Sequence, residues 1–400
     1  MAGLARWVEW GEAAGDLQAA AIRANLAWFR ARLAHKGRPL TKVLDHAVRQ
    51  ASRLSAASRA EIRGMAAAAR LPLEELLAFN LFAEWIEPEG CTVALAMPDV
   101  TASGDLLFFK NSDKMGAAEG PPDLWHRHKE INVVRIVERD AAAGTRKVIG
   151  IAAAGSTIFK MGMNDAGLAG GASLGRIVTS TEQTAAYWGA AGRGELLRDG
   201  LLTVATAEDA AAFCLPSLVR TPVSSPGNIQ FADPVRAINL ECSFTEAAVT
   251  TAASGCLVRT NRFELMRQLN RADDTSSPAR FARAEALLQE HRGRIDVETM
   301  IRISTDHANG PSTSSICRHS EDWREETSLS SAIMRISPSG AHPPEISLAL
   351  GKPCRAWVSA EGEGWVTLTP SMTAADLPPG FLSGAAWKQY YSEIAQDAQA

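Results

Sequence analysis

The spacing of apolar residues divides the chain into two parts near residue 90. Before this position apolar side chains recur at helical spacing, and residues 3–34 form one long periodic segment. A capping-box sequence that begins at Ser58 predicts another helix, and Pro72 fits the first turn of a third. The pattern therefore predicts that residues 1–88 are mostly helical.

From Cys91 onward the pattern changes to short apolar runs separated by Gly and Pro. Residues 92–97 and 106–110 are two such runs, and the turn residues between them predict a β-hairpin. Further strands are predicted at 131–138, 147–153, 168–174, 228–232, 236–243, 247–251, 313–318, 331–337, 345–350 and 363–369. Helices are predicted near 182–200, 206–213 and 281–288, from Asp296 onward, and at 385–399 outside the sheets. Strands in runs with grouped helices favour a layered α+β architecture over a doubly wound parallel sheet.

Charge and composition exclude several kinds of partner. The formal net charge is −4 and the isoelectric point is near 6.1, which is not the basic surface expected for binding nucleic acid or acidic membranes. No apolar run approaches the roughly 20 residues needed to cross a bilayer. Acidic residues interrupt the first helix, which does not resemble a signal peptide, so we expect a cytoplasmic protein.

One cysteine stands out by its context. The six cysteines are widely spaced and include no C-x-x-C pair, so we expect thiols and not a disulfide framework. Cys91 follows Gly90 where a strand begins. Cleavage of the Gly90–Cys91 bond would leave a thiol and a free α-amine on one residue, and the amine can serve as the base for the thiol. A buried structural cysteine that opens a strand is the alternative interpretation of this dipeptide.

Eight short stretches carry a resemblance to a known family: Glu61–Ala66, Leu71–Asn80, Gly90–Thr92, Asn111–Asp113, Gly162–Leu168, Arg259–Phe263, Ser315–Arg318 and Leu350–Cys354. In order and spacing they resemble the acyl-coenzyme A:6-aminopenicillanic acid acyltransferase family, the self-processing cysteine group within the N-terminal-nucleophile hydrolases. The resemblance implies a four-layer αββα sandwich with two antiparallel sheets. It also implies that residues 1–90 become a small subunit that stays associated with residues 91–400. From the residues themselves we expect 380–400 to form a peripheral helical tail.

The resemblance also assigns roles to individual residues. Cys91 is the expected nucleophile, both on the carbonyl of Gly90 and on the substrate. Asp113, which the hairpin brings back towards Cys91, would orient the α-amine. Asn261 would donate an amide N–H to the oxyanion, which is typically worth ~3 kcal/mol of transition-state stabilisation. Arg318 would hold a substrate carboxylate in a two-pronged contact.

Other interpretations of these residues stay open at this point. Asp113 can be a solvated turn residue, Asn261 a helix cap and Arg318 a surface charge. The family's H-T-N-H stretch reads Arg-Thr-Asn-Arg here, with Arg259 and Arg262 in place of the two histidines. Together with Arg318 they indicate an anionic substrate, and we expect Arg259 to contact it.

Three other classes of protein compete with a self-processing enzyme. The nucleophile can instead be activated by His307 or His319 in an unprocessed Cys–His hydrolase. The H-x-H pair at 126–128 and the C-x-H pair at 317–319 lack the spacing of a structural zinc site, so we expect no metal and no cofactor. An inactive scaffold with the same fold is the third alternative.

The sequence thus predicts an amidohydrolase or acyltransferase that acts on the amide bond of a small N-acyl compound through a thioester on Cys91. Hydrolysis is favoured, because no site for an acyl carrier such as coenzyme A is visible in the sequence. The expected partner is a small-molecule amide substrate. The two self-derived subunits are the expected assembly, and further oligomerisation is left open.

Overall fold

Two antiparallel sheets with helices on their outer faces, preceded by a helical segment, make up the chain. The structure, a computed structural model, describes residues 2–86, 90–115, 130–142, 144–179, 192–220, 225–308, 310–320, 322, 324–356, 365–377 and 380–385. The N-terminal helices are α1 (Ala2–His35), α2 (Leu40–Gln50), α3 (Ala56–Ala69) and α4 (Leu73–Ile86). The later described helices are α5 (Arg193–Thr203), α6 (Ala207–Arg220), α7 (Ser276–Glu290) and α8 (Val297–Ser304).

The strands form one sheet of six and one of seven. The six-stranded sheet contains β1 (Gly90–Ala96), β2 (Leu106–Lys114), β10 (Cys256–Arg259), β11 (Thr327–Ile336), β12 (Glu345–Leu350) and β13 (Val366–Leu368), in the order β10-β1-β2-β11-β12-β13. The seven-stranded sheet is a meander in chain order: β3 (Asn132–Val137), β4 (Val148–Ala153), β5 (Met161–Asn164), β6 (Ala169–Leu174), β7 (Gly227–Asp233), β8 (Arg236–Cys242) and β9 (Ala247–Ala252). β1 therefore lies inside its sheet, between β2 and β10.

The alternation of side chains along β1 shows how the layers are stacked. Val93 and Leu95 point into the apolar core between the sheets, which also contains Ile149 of β4. Ala94 and Ala96 lie one residue out of phase and belong to the core beneath α7 and α8. Helices α5 and α6 cover the outer face of the seven-stranded sheet. The architecture is therefore the predicted α+β sandwich, with the layer order αββα.

The N-terminal helices share a hydrophobic core with the start of β3 and the end of β4. Phe29 of α1 and Phe79 of α4 meet edge to face, with ring centroids 5.9 Å apart. The side-chain amide of Asn25 donates hydrogen bonds to the carbonyls of Ile131 and Ala154 at 3.0 and 2.9 Å. Residues 2–86 thus pack against the sheets through a continuous apolar core, which is the kind of contact that keeps two segments together.

Two local predictions are wrong. Helix α3 begins at Ala56 and not after Ser58, because Ser55 caps it and its hydroxyl accepts the N–H of Ser58. Residues 313–318, predicted as a strand, form a loop of turns. Polar groups of this loop bond to side chains; for example, the carbonyl of Ile316 accepts a hydrogen bond from the side-chain amide of Asn111 in β2 at 3.0 Å.

Two predicted helices are only partly covered by the described residues. The helix expected at 182–200 begins at Arg193 in the described part of the chain. The helix expected at 385–399 falls almost entirely outside the described residues. None of the described helices combines the length and the apolar composition that spanning a bilayer requires.

Candidate active site

The β1–β2 hairpin sets the geometry around Cys91. The ladder pairs Cys91 with Ser112 and Gly90 with Asp113. Residues opposite each other share a face of the sheet, and neighbours along a strand point to opposite faces. The thiol of Cys91 therefore points between the two sheets, where Sγ lies 3.8 Å from the carbonyl oxygen of Ala172 in β6. The side chain of Asp113 points to the other face, towards the helical layer.

Cys91 is completely buried, and its surroundings act on the thiol in opposite directions. Burial raises the pKa of the thiol. The cations Lys110, Arg193 and Arg280 lower it, and the carboxylate of Asp113 raises it. Burial prevails, so in the uncut chain the sulfur is a protonated thiol at neutral pH.

Asn261 lies directly after β10 and holds the backbone nitrogen of Cys91. Its Oδ1 accepts the N–H of Cys91 at 3.0 Å and a guanidinium N–H of Arg280 at 2.8 Å. Its Nδ2 donates to the carbonyl of Leu174 at 3.1 Å. The two donors on Oδ1 fix the orientation of the amide. In the uncut chain Asn261 is therefore an acceptor for the α-nitrogen, whereas the sequence led us to expect an oxyanion donor.

Lys110 in β2 is a buried cation that the sequence reasoning missed. It lies opposite Val93, so it shares the face of Cys91. Burial lowers the pKa of Lys110, and this effect prevails over the opposing influence of its neighbours Cys91 and Asp113. The signal was a single lysine directly after the apolar residues 106–109, two residues before the partner of Cys91.

Arg280 in α7 was also missed. It is completely buried and donates hydrogen bonds to Cys91 O and to Thr92 Oγ1, the latter at 2.8 Å, besides its bond to Asn261. Burial, together with the nearby charge of Arg318, lowers its pKa to about 10. The helical period could have indicated that Arg280 is buried, because it lies one turn before the buried Ala284 on the same face of α7.

The Gly90–Cys91 bond is enclosed by an ion pair. Nη1 of Arg318 bonds to Oε2 of Glu326, and both side chains are buried. A Cβ added at Gly90 would lie 2.6 Å from Oε2 of Glu326 and even closer to Nη1 of Arg318. Burial alone would raise the pKa of the Glu326 carboxyl, but Arg318 and Arg176 outweigh it and hold the pKa below its ordinary value. Only glycine fits at position 90 without displacing this pair.

Asp113 and Arg318 are brought together, as the sequence led us to expect for two residues of one site. Oδ1 of Asp113 accepts the hydroxyl of Ser328 at 2.7 Å, and Oδ2 lies 3.6 Å from Nη1 of Arg318 without a hydrogen-bond partner among the described residues. Arg318 also donates from Nε to the carbonyl of Thr313 at 2.7 Å. Because both side chains are buried, Asp113 is not a solvated turn residue and Arg318 is not a surface charge.

The remaining candidate residues lie elsewhere. The guanidinium of Arg259 donates to the carbonyl of Val258 and to Thr250 Oγ1, at 2.7 and 3.0 Å, so these contacts give no support to the expected role in substrate binding. His307 and His319 contact each other, with 3.1 Å between their Nε2 atoms. The described hydrogen bonds and ion pairs connect neither imidazole to Cys91, which gives no support to an unprocessed Cys–His pair.

A small cavity of about 30 Å³ is lined in part by Ala172, the residue whose carbonyl contacts the thiol. It is lined by residues of α4, including Phe79 and Glu84, together with residues of the sheets. Two of its lining cations, Lys114 and Lys160, lie 2.8 and 2.6 Å from the carboxylate of Glu130. Because α4 forms one wall, the cavity joins the N-terminal segment to the surroundings of Cys91.

A search of curated proteins found no match for this chain. Among solved structures, it is similar to the N-acylethanolamine-hydrolyzing acid amidase ortholog of Caenorhabditis elegans, at 16% identity and a TM-score of 0.41, covering 61% of this chain and 92% of that one. It is similar to the C2A mutant of the conjugated bile acid hydrolase of Clostridium perfringens, at 12% identity and a TM-score of 0.42, with 72% and 94% covered. It is also similar to penicillin V acylase of Agrobacterium tumefaciens, at 12% identity and a TM-score of 0.42, with 73% and 88% covered.

A family model matches the middle of the chain. The matched region contains Asn261, Arg280 and Arg318, and it begins after the hairpin that carries Cys91 and Asp113. Residues 148–344 match the acyl-coenzyme A:6-aminopenicillanic acid acyl-transferase family, which confirms the resemblance that the sequence motifs indicated.

Proposed function

We propose that this chain cleaves its own Gly90–Cys91 bond and then acts as a cysteine amidohydrolase on a small N-acyl compound. The observation that carries the proposal is the hydrogen bond from the N–H of Cys91 to Oδ1 of Asn261. That oxygen would continue to accept from the α-amine once the bond is cut. The match of residues 148–344 to the acyltransferase family supports the same chemistry.

The cleavage needs one nucleophilic attack and one hydrolysis. Sγ of Cys91 attacks the carbonyl carbon of Gly90, the peptide C–N bond breaks, and the proton of the thiol passes to the α-nitrogen. The acyl group of Gly90 is then held on Cys91 as a thioester. Water hydrolyses the thioester, which leaves a carboxylate on Gly90 and a free thiol on the new N-terminal residue.

The cations around the site support this route. A neutral thiol becomes a thiolate as it attacks, and Lys110 and Arg280 both lower the pKa of Cys91. The ion pair of Arg318 and Glu326 packs against the residue that is attacked, where an added side chain would meet it. Holding reacting atoms in place in this way contributes to the rate through entropy.

On the substrate, the same thiol would attack the amide carbonyl while the α-amine takes its proton. The amine product leaves with a proton, the acyl group stays on Cys91 as a thioester, and water releases it as a carboxylic acid. Asp113 would orient the α-amine from the opposite face of the sheet. Asn261 can serve the oxyanion only if its Nδ2 exchanges the carbonyl of Leu174 for the substrate oxygen.

The cavity beside Ala172 is too small to hold a substrate in the uncut chain. Its volume of about 30 Å³ is well below the roughly 300–1,000 Å³ that is typical of small-molecule sites, so a substrate would enter only where cleavage opens more space. Lys114, Lys160 and Glu130 give it a charged lining, which suits an N-acyl compound with a polar or ionised group. Arg318 would reach a substrate carboxylate once the departure of Gly90 opens the space beside it.

The test begins with the purified full-length chain and the Cys91→Ala variant. Intact mass and N-terminal sequencing should show two pieces for the wild type, the larger beginning at Cys91, and a single 42.7 kDa chain for the variant. Cys256→Ser, which changes a half-buried cysteine on β10, should be processed normally. A wild-type chain that stays whole, or a Cys91→Ala chain that is cut, would contradict self-processing.

Activity is tested separately with the cut enzyme and a panel of small N-acyl amides. The expected result is release of the amine, with transfer of the acyl group to hydroxylamine when that nucleophile is added. Trapping of a hydroxamate would identify the acyl-enzyme, and an added amine that competes with water would indicate acyl transfer. Turnover by the Cys91→Ala chain would contradict the assignment of the nucleophile.

A further inference from the structure

A second cluster of reactive side chains lies outside the candidate active site. His307 follows α8, Cys317 and His319 precede β11, and Cys354 follows β12. One atom from each of the four side chains, Sγ or an imidazole nitrogen, lies within 4.8 Å of all the others. Cys317 is buried and the other three are half-buried, so the cluster is shielded but reachable.

The spacing of these atoms is that of a tetrahedral site. With Zn–S near 2.3 Å and Zn–N near 2.0–2.1 Å, ligand atoms in a tetrahedron lie about 3.3–3.8 Å apart. Nε2 of His319 is 3.1 Å from Nε2 of His307, 3.2 Å from Sγ of Cys354 and 3.6 Å from Sγ of Cys317. A single ion therefore fits among the four atoms with small adjustments of the side chains.

Hydrogen bonding alone does not account for this arrangement. An imidazole nitrogen carries either one proton or one lone pair, so it makes one good hydrogen bond at a time. Nε2 of His319 faces three partners at once, and two of them are thiols, which are weak donors. A metal ion satisfies all four groups together.

The backbone holds the cluster in place. The N–H of Cys317 donates to the carbonyl of Asp306 at 3.2 Å, and that of His319 donates to the carbonyl of Ser312 at 3.0 Å. The guanidinium of Arg283 in α7 donates hydrogen bonds from Nε and Nη2 to both carboxylate oxygens of Asp306, at 2.8 to 3.2 Å. The loop is thus shaped by its own hydrogen bonds so that three ligands meet Cys354 from the other segment.

We propose that His307, Cys317, His319 and Cys354 bind one structural Zn²⁺ ion. Two thiolates and two imidazoles form a donor set that selects zinc over magnesium or calcium. All four positions are filled by protein, which is the mark of a structural and not a catalytic zinc site. The ion ties the loop that carries Arg318 to the end of β12, so it fixes the residue that covers Gly90.

This site replaces the expectation of no metal that the sequence suggested. The C-x-H pair at 317–319 was dismissed because it lacks the local spacing of a zinc motif. The other two ligands are contributed by residues 10 positions before and 35 positions after this pair, so only the folded chain brings them together.

The test measures zinc in the full-length protein, purified under reducing conditions without a chelator from zinc-supplemented cells. Elemental analysis should give about one zinc per chain, and a strong chelator should remove the zinc and lower the thermal stability. Replacement by Co²⁺ should give the visible absorption bands of a tetrahedral thiolate site. Both signals should be lost in Cys354→Ser and in His307→Ala, whose half-buried positions make misfolding less of a risk than at Cys317.

Two control variants separate this proposal from the proposed function. Cys256→Ser, a half-buried cysteine outside the cluster, should keep its zinc. Cys91→Ala should also keep its zinc although it is uncut and inactive. The proposal is overturned if the reduced wild type neither contains nor takes up Zn²⁺, if Cys354→Ser and His307→Ala bind it as the wild type does, or if a disulfide joins Cys317 and Cys354 in place of a metal.

Discussion

The side chains of Cys91 and Asp113 lie on opposite faces of the six-stranded sheet. The register places Asp113 opposite Gly90, so the carboxylate shares the face of residue 90 and not that of the thiol. The backbone nitrogen of Cys91 lies in the strand between the two faces, and the proposed cleavage would convert it into an α-amine. The carboxylate of Asp113 acts on the thiol through its charge, which raises the pKa of Cys91.

Asp113→Asn should have opposite effects on turnover and on thiol reactivity. In the proposed mechanism Asp113 orients the α-amine, so losing its carboxylate should slow processing and turnover by at least about 100-fold, the range of a lost acid–base partner. The negative charge of Asp113 raises the pKa of Cys91, so its removal should lower that pKa and speed alkylation by iodoacetamide. The measurement is the pH profile of alkylation alongside the rate of processing.

Ser328→Ala is the matched control, because it removes the hydroxyl that donates to Asp113 but keeps the carboxylate. Its alkylation profile should stay close to that of the wild type. Slower alkylation of Cys91 in Asp113→Asn would contradict the placement of the two side chains on opposite faces.

Gly90→Ala should strain the ion pair that lies against residue 90. The added methyl group would meet the ends of the Arg318 and Glu326 side chains, and these buried groups would have to shift to make room. Overpacking of this kind costs about 1–3 kcal/mol. Urea unfolding in a Cys91→Ala background, which removes processing, measures the loss.

A double-mutant cycle identifies the cause of that loss. Glu326→Ala makes room for the methyl group, so Gly90→Ala should cost less in the presence of Glu326→Ala than alone. Equal costs in the two backgrounds would show that the ion pair does not press on residue 90.

Much of the architecture could be read from the order of residues, because strand and helix periods are local properties. The hairpin from residue 92 to 110 predicted that Asp113 returns to the start of the first strand beside Cys91, and the register pairs it with Gly90, one residue away. The face on which each side chain lies was not predicted, since it depends on the register, and a shift of one residue would reverse it.

The cations around Cys91 show a second limit. Lys110 belongs to β2, and Arg280 belongs to α7, 189 residues after Cys91 in the chain. Only the packing of the folded chain brings both of them next to Cys91. Asn261 was found as a site residue, but its expected role depended on which amide atom faces Cys91. The orientation of the Asn261 amide is set by its hydrogen bonds with Arg280 and with the carbonyl of Leu174. No motif in the sequence connects these two residues to Asn261.

The stability of the uncut chain should fall in acid through Glu326. Its pKa in the folded chain is lowered, so the native state binds fewer protons than the unfolded state in the acid range. This contribution to stability is present above the unfolded pKa of about 4.3 and is lost as the pH falls through the lower folded value. Unfolding free energies of the Cys91→Ala chain, measured from neutral pH downward, should show this acid limb.

Glu326→Gln should flatten the acid limb and reduce stability at neutral pH by about 3–5 kcal/mol, the cost of leaving the buried guanidinium of Arg318 without this partner. Glu325→Gln changes the exposed neighbour and should alter stability by no more than about 0.5 kcal/mol. An acid limb of the same slope in Glu326→Gln would assign the loss of stability to other carboxylates.

Lys110→Met should reduce the reactivity of Cys91 without weakening the fold. The cation lowers the pKa of Cys91, so its loss should raise that pKa and shift alkylation, processing and turnover to higher pH. The same change removes an amine whose charged form is disfavoured by burial, so stability should stay the same or rise. Lys147→Met is the matched control, because this buried lysine donates to Met372 O at 2.7 Å and directly precedes β4 of the other sheet. It should lose stability and keep the alkylation profile of the wild type, and a Lys110→Met chain that behaved in the same way would show that Lys110 serves only the fold.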